Sequence, residues 1–177
     1  MSTRPADADL PRRFAEELRR ADGVPHAGVD PGPLACSLVP DRSAVAVDDD
    51  PDLDAVAEAL ADAGHAVLRP RDADYRTRLP DASLGVTRCT AAIADTGTML
   101  LVFDRQHPRS TSLLPRIHLA VLHPGDFVPR LADALARFPS PPPSAVTFVT
   151  GPSRSADIEQ ILTLGVHGPA QVHAALP

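Results

Sequence analysis

Residues 43–68, SAVAVDDDPDLDAVAEALADAGHAVL, decide the fold class. Ser43 to Val47 reads as a strand, Asp52 to Ala63 as a helix with an acidic first turn and Gly64 as its C-cap, and His65 to Leu68 as the next strand. A strand, a helix and a second strand within so short a span form a βαβ unit, which implies a parallel strand pair.

Working outward, Leu10 to Ala21 places Leu10, Phe14 and Leu18 at i, i+4 and i+8 with charge between them, the stripe of an amphipathic helix. Asp22 to Pro40 contains Pro25, Pro31, Pro33 and Pro40 and reads as a connecting loop, so residues 1–42 form an N-terminal helix and arm and 43–177 a single α/β domain. Beyond the βαβ unit comes a polar, Arg-rich passage, Arg69 to Pro80, and then a buried strand over Ser83 to Thr87. Ala91 to Phe103 reads as two extended segments joined at the bend Asp95-Thr96-Gly97-Thr98, where Gly97 permits a close backbone approach. Pro108 to Pro115 reads as a polar loop, Arg116 to Leu122 as a strand, Pro124 to Phe138 as a helix opened by Asp126, and Ser140 to Ser144 as a stiff linker. Ala145 to Thr150 is a β-branched strand, Ala156 to Leu164 a helix capped by Ser155 and ended at Gly165, and Gln171 to Leu176 a last strand.

Composition excludes several function classes. A chain of 177 residues, 44% hydrophobic and 23% charged, suffices for one well-buried core. A net charge of -6 without a basic stretch argues against a nucleic-acid partner. There is no apolar run long enough for a membrane span and no signal-peptide core, which places the chain in the cytoplasm. All 17 cations are Arg. Lys-dependent P-loop, pyridoxal-phosphate and Schiff-base aldolase chemistry is therefore excluded. Cys36 and Cys89 stand alone without a Cys-x-x-Cys pattern, and the histidines are scattered, so the expectation is no metal and no cofactor bound by this chain.

The polar candidates gather in two stretches. Gly151-Pro-Ser-Arg-Ser155 reads as a strand exit leading to a helix start, where Gly151, Ser153, Arg154 and Ser155 surround converging backbone N–H groups that favour a small anion. Arg154 can grip a carboxylate or phosphate through paired N–H bonds. The structural alternative makes Ser155 a cap and Arg154 a bridge to Asp157 or Glu159. In the second stretch, Thr96 and Thr98 supply hydroxyl donors or pack as strand residues, and Asp95 is a nucleophile or a turn-forming aspartate. His167, between Gly165 and Gly168, suits a general acid/base or ligand-orienting role, or is a His favoured by a helix C-terminus. His118 reads as a core or interface residue, and Arg105, His107 and Arg109 as a loop able to cover a pocket.

Leu84-Gly-Val-Thr87, Ala92-Ile-Ala-Asp-Thr-Gly-Thr98, Ser112-Leu-Leu-Pro115 with His118, Gly151-Pro-Ser-Arg-Ser-Ala-Asp-Ile-Glu159 and Gly165-Val-His-Gly-Pro169 occur in this order. Together they resemble the lactate-utilisation protein C family, the LUD domain. The resemblance implies an α/β fold of three layers, a mixed sheet flanked by helices, similar to the CoA-transferase and ribose-phosphate-isomerase type. It also implies an accessory role in a cytoplasmic system that oxidises L-lactate to pyruvate, with iron–sulfur clusters on partner subunits. In that fold family a Glu carboxylate acts as nucleophile, where this chain has the shorter Asp95. A stand-alone transferase or isomerase acting on an acyl or sugar-phosphate substrate is the alternative.

Overall fold

The computed structural model describes residues 9–138, 143, 145–156, 162–164 and 167–177. Helix α1 (Leu10–Arg20) starts with a proline in its first turn, ends on Arg19 and Arg20 at its negative pole, and buries Leu10, Phe14 and Leu18 on one face. Strand β1 (Val24–Ala27) and helix α2 (Pro31–Ser37) follow, the latter opened by Asp30, whose carboxylate accepts the Gly32 N–H at 2.9 Å. The expected βαβ unit forms as β2 (Ala44–Val47), α3 (Asp54–Asp62) and β3 (Ala66–Leu68), with Gly64 at φ 85° behind the helix. Next come α4 (Tyr75–Arg78), β4 (Leu84–Arg88), β5 (Ala91–Ile93), β6 (Thr98–Phe103), α5 (Arg109–Leu113) and β7 (Ile117–Val121). The chain ends with β8 (Phe127–Val128), α6 (Leu131–Leu135), β9 (Ala145–Val149), β10 (Arg154–Ala156), β11 (Leu162–Leu164) and β12 (Gln171–Leu176).

Six strands form a wholly parallel sheet in the order β1-β12-β7-β4-β2-β3. Such a sheet must be covered on both faces. One face carries Val45, Val47, Leu84, Val86 and Leu119 and is covered by Leu34 of α2 and by Leu53, Val56 and Leu60 at and within α3. The opposite face is covered by several pieces. Phe14 and Leu18 of α1 lie over Ala120, Val172 and Ala174 together with Ala92 and Met99 of a second sheet, while Tyr75 and Leu79 cover Ala46 and Leu68. The second sheet, β8-β5-β6-β9, is where parallel and antiparallel pairing mix. Phe14 meets Phe127 edge-on at 5.6 Å. The fold is α/β as expected, with the mixed pairing confined to this smaller sheet. Among the described residues no helix is long and apolar enough to cross a membrane.

Four local expectations are corrected. Asp22 to Pro40 is not a loop: Pro25 sits on the edge strand β1, where a missing N–H is tolerated, and prolines open α2, where the first N–H groups need no partner. Within the expected loop Pro108 to Pro115, Arg109–Leu113 is helical. Pro124 to Phe138 is not one helix, because Phe127 and Val128 pair with Ala92 and Ile93 and Pro129 interrupts any helical ladder, leaving only the short α6. The helix from Ala156 to Leu164 is replaced at its described ends by an antiparallel pair, Ser155 opposite Thr163, so strand pairing wins over local helical pattern. Residues 157–161 and Gly165, and the linker residues 140–142 and 144, lie outside the described residues.

Two glycines set the layer spacing. A Cβ on Gly85 would lie 1.8 Å from the Thr111 carbonyl oxygen, so α5 rests directly on β4. A Cβ on Gly97, at φ 63°, would lie 2.2 Å from the Leu18 backbone nitrogen. Gly85→Ala and Gly97→Ala are each expected to lower stability by about 2 kcal/mol or more, read as a fall in the urea midpoint, because backbone must move to relieve the overlap.

Candidate functional site

The bend Asp95-Thr96-Gly97-Thr98 and the loop Gly151 to Arg154 do come together, and what joins them is α1. Thr96 and Thr98 share a hydroxyl hydrogen bond at 2.7 Å, and Thr98 continues to Thr150 at 2.8 Å. Gly97 lies against Leu18, a Cβ on Gly151 would touch the Ala21 carbonyl at 2.1 Å, and Arg154 is ion-paired with Asp22. Asp95 donates its N–H to the Pro129 carbonyl at 3.1 Å, and its carboxylate faces Arg13 at 3.1 Å and Arg130 at 3.9 Å. The Ser153 N–H is taken by the Pro169 carbonyl at 2.9 Å. Ser155 belongs to β10, so no helix pole stands there to favour an anion, which removes the dipole argument for that loop. His167 is exposed.

A different convergence occurs at the carboxyl edge of the parallel sheet. From β2 the chain runs outward to β3 through α3 on one face, whereas from β4 it runs the other way to β7 with α5 on the opposite face. The crevice beyond β2 and β4 is thus a topological switch point, the usual ligand position in open α/β sheets. Asp48, Asp49 and Asp50 follow β2 directly into it. Asp49 is fixed by Arg69 at 3.1 Å and by the Arg71 N–H at 2.8 Å, and Arg69, only 7% exposed, also reaches Asp54 at 2.7 Å. The His107 ring lies between Asp104 at 2.9 Å and Asp50 at 3.4 Å. At the end of β4, Arg88 holds Asp126 through two bonds of 2.6 and 3.0 Å and Asp52 at 3.1 Å.

Asp48 differs from these paired groups. It is 2% exposed, and its Oδ1 has no hydrogen-bond partner among the described residues. Burial pushes its carboxyl up to about 7, the Thr111 hydroxyl and His107 oppose the shift, and Asp49 and Asp50 add to it. Thr111, fully buried, shares a 2.7 Å hydrogen bond with the Tyr75 hydroxyl. Tyr75 in turn lines a cavity of about 370 Å³ with Arg76, Arg105 and Ser110. The buried Cys89 thiol is pushed up to about 12 by burial, which keeps it a neutral core group. His118, also buried, is pushed down to about 4 and bonds Thr87 at 2.9 Å.

The LUD-domain family profile matches residues 33–176. The chain belongs to the LUD-domain family. Similar proteins include those named Lactate utilization protein C from Bacillus licheniformis, 39% identical over 53% of this chain and 42% of that protein, and from Oceanobacillus iheyensis, 39% identical over 51% and 42%. The protein of the same name from Bacillus subtilis is 37% identical over 51% of this chain and 40% of its own length. This LUD domain spans about two-fifths of the length of the curated relatives it matches. A solved structure of a DUF162 family protein from Deinococcus radiodurans shares the fold, with a TM-score of 0.67 and 19% identity over 98% of this chain and 99% of that one.

The sequence reading missed Asp48, Tyr75 and Thr111 as a connected set, although it singled out the loop with Arg105 and His107. The available signal was the run of three aspartates directly after a strand of the βαβ unit. Since the folded Asp48 ionises near 7 against 3.8 for an ordinary aspartate, its contribution to stability is complete below about pH 4 and is lost as pH rises through 7. Asp48→Asn, which copies the protonated form, is expected to raise the unfolding free energy at pH 8 by up to about 4 kcal/mol at roughly 1.4 kcal/mol per pKa unit, seen as a higher thermal midpoint, with a smaller gain at pH 5. Equal destabilisation at both pH values in calorimetry would show that Asp48 is already ionised in the fold.

Proposed function

We propose that this LUD domain is an accessory component of an L-lactate-oxidising system, that it holds a small anionic ligand, and that the electrons of the oxidation pass to partner subunits carrying iron–sulfur clusters. The observation that carries this reading is the 37 to 39% identity to three proteins each named for lactate utilisation. The chemistry of the chain supports the division of labour. Its thiols, Cys36 and Cys89, are unpaired and belong to apolar clusters on opposite faces of the main sheet, so neither can join the other as a cluster ligand. Oxidising a hydroxy acid releases two electrons and therefore requires an acceptor, which such partners supply. For the ligand we look to the cavity bordered by α4 and α5, where Arg76 and Arg105 accompany Tyr75, whose hydroxyl reaches the buried Thr111.

A strain lacking the gene for this chain is expected to grow on glucose and to fail on L-lactate as carbon source. Affinity capture of the full chain from lactate-grown cells is expected to recover subunits containing iron and acid-labile sulfide. Undiminished growth of the deletion strain on lactate would remove the assignment.

A further inference from the structure

The cavity bordered by α4 and α5 combines three features that no structural role accounts for together. The first is its charge. In this part of the chain Arg69, Arg71 and Arg78 are spent in ion pairs with Asp49, Asp54 and Asp74. Arg76 and Arg105, both exposed, line the cavity and form no ion pair among the described residues. Two free guanidinium groups on one small cavity suit a carboxylate, which they can hold through paired N–H bonds.

The second feature is the hydrogen-bond chain behind the wall. Tyr75 is 4% exposed, its hydroxyl meets the Thr111 hydroxyl at 2.7 Å, and Thr111 faces the Asp48 carboxyl, whose Oδ1 is otherwise unpartnered. A carboxylate can only accept. Above about pH 7, where Asp48 is ionised, Thr111 donates to it and in turn accepts from Tyr75, leaving the tyrosine oxygen, which the Ser110 hydroxyl also approaches, as an acceptor at the cavity wall. A ligand that donates a hydroxyl completes the chain, and one that presents only a carbonyl oxygen does not. The third feature is the remaining wall, Leu79 and Leu114, which offers apolar contact to a short carbon skeleton.

We propose that this cavity binds a small hydroxy-carboxylate, its carboxylate held by Arg76 and Arg105 and its hydroxyl donated to Tyr75, which Thr111 and Asp48 orient from behind. The binding geometry stands on the cavity itself; only the choice of L-lactate among hydroxy acids rests on the lactate-utilisation reading. Tyr75 touches the ligand, whereas Thr111 and Asp48 are positioning residues acting through it. The arrangement distinguishes a hydroxy acid from its oxo product by one donated hydrogen bond, and a site built around such a bond rejects the analogue lacking it.

Tyr75 is the only tyrosine and the chain has no tryptophan, so its intrinsic emission reports on this cavity alone. The full chain is titrated about one unit or more above pH 7, where Asp48 is ionised, with L-lactate, glycolate, pyruvate, acetate and inorganic phosphate. L-Lactate and glycolate are expected to change the emission saturably, and pyruvate and acetate at concentrations at least tenfold higher. Arg105→Gln is expected to weaken every carboxylate about tenfold or more. Tyr75→Phe, followed by calorimetry since its emission is lost, is expected to bring L-lactate down to the affinity of pyruvate while leaving pyruvate unchanged, a selectivity that a merely structural tyrosine would not produce. Circular dichroism of both variants verifies the fold. Glycolate binding without L-lactate binding supports the site and removes lactate as its ligand. Saturation by phosphate as readily as by hydroxy acids, loss of lactate and pyruvate binding by the same factor in Tyr75→Phe, or no binding of any hydroxy acid at millimolar concentration overturns the proposal.

Discussion

A sheet in which every strand runs the same way has no solvent face, and the whole arrangement follows from how this chain covers its six strands. On one side two helices supply a continuous apolar cover. On the other the cover is assembled from α1, the second sheet and the short helices α4 and α5, and these pieces must approach closely because they are small. Gly85 allows α5 to rest its backbone on β4, and that contact carries Thr111 to the position where it meets both Tyr75 and Asp48. The candidate site is therefore a consequence of covering the second face with short pieces rather than one long helix.

The same constraint governs the charges. At the carboxyl edge, buried Arg69 and half-buried Arg88 each satisfy more than one carboxylate, as charges taken from water require. Asp48 is buried without such a cation and responds by holding its proton up to about 7. Toward the opposite sheet edge, burial drives His118 and His173 down to about 4, so both rings are neutral. The two kinds of group pull stability in opposite directions. Asp48 loses its contribution as pH rises from about 4 through 7, whereas the histidines lose theirs as pH falls from 6.5 toward 4. Across the mildly acidic range these two contributions oppose each other.

Periodicity carried the sequence reading where local pattern and tertiary structure agreed. The βαβ unit, the strands at Ser83 to Thr87, Arg116 to Leu122 and Gln171 to Leu176, and the bend at Gly97 are all present. Prolines misled it at Asp22 to Pro40, because an edge strand and a helix start both accept them. Residues 127–128 and the pairing of 154–156 with 162–164 misled it for the converse reason: partners distant in sequence or across a hairpin decide their conformation. The site shows the same division. Thr96, Thr98, Gly151 and Arg154 lie near one another, yet the element filling the space between them is α1, some 80 residues earlier for the bend, and no local signal announces where a helix docks.

That joint and the crevice also differ in their relation to the family. The profile match covers 33–176 and so includes Asp48, Tyr75, Arg105 and Thr111, whereas Leu18 of α1 and Ala21 just after it, which close on Gly97 and Gly151, precede it. At the turn sealed by the neighbouring helix, Asp95 Oδ1 also lacks a hydrogen bond among the described residues, but two arginines stand against its carboxylate as counter-charges, at 3.1 and 3.9 Å. A buried carboxyl with an open lone pair, linked by hydroxyls to a cavity bearing free guanidinium groups, has interactions still to make. A buried carboxyl left, among the described residues, with neither a hydrogen bond to that oxygen nor a guanidinium counter-charge, close to a cavity with unpaired cations, is the reason our proposal puts ligand chemistry beside Asp48 rather than at the Asp95 turn.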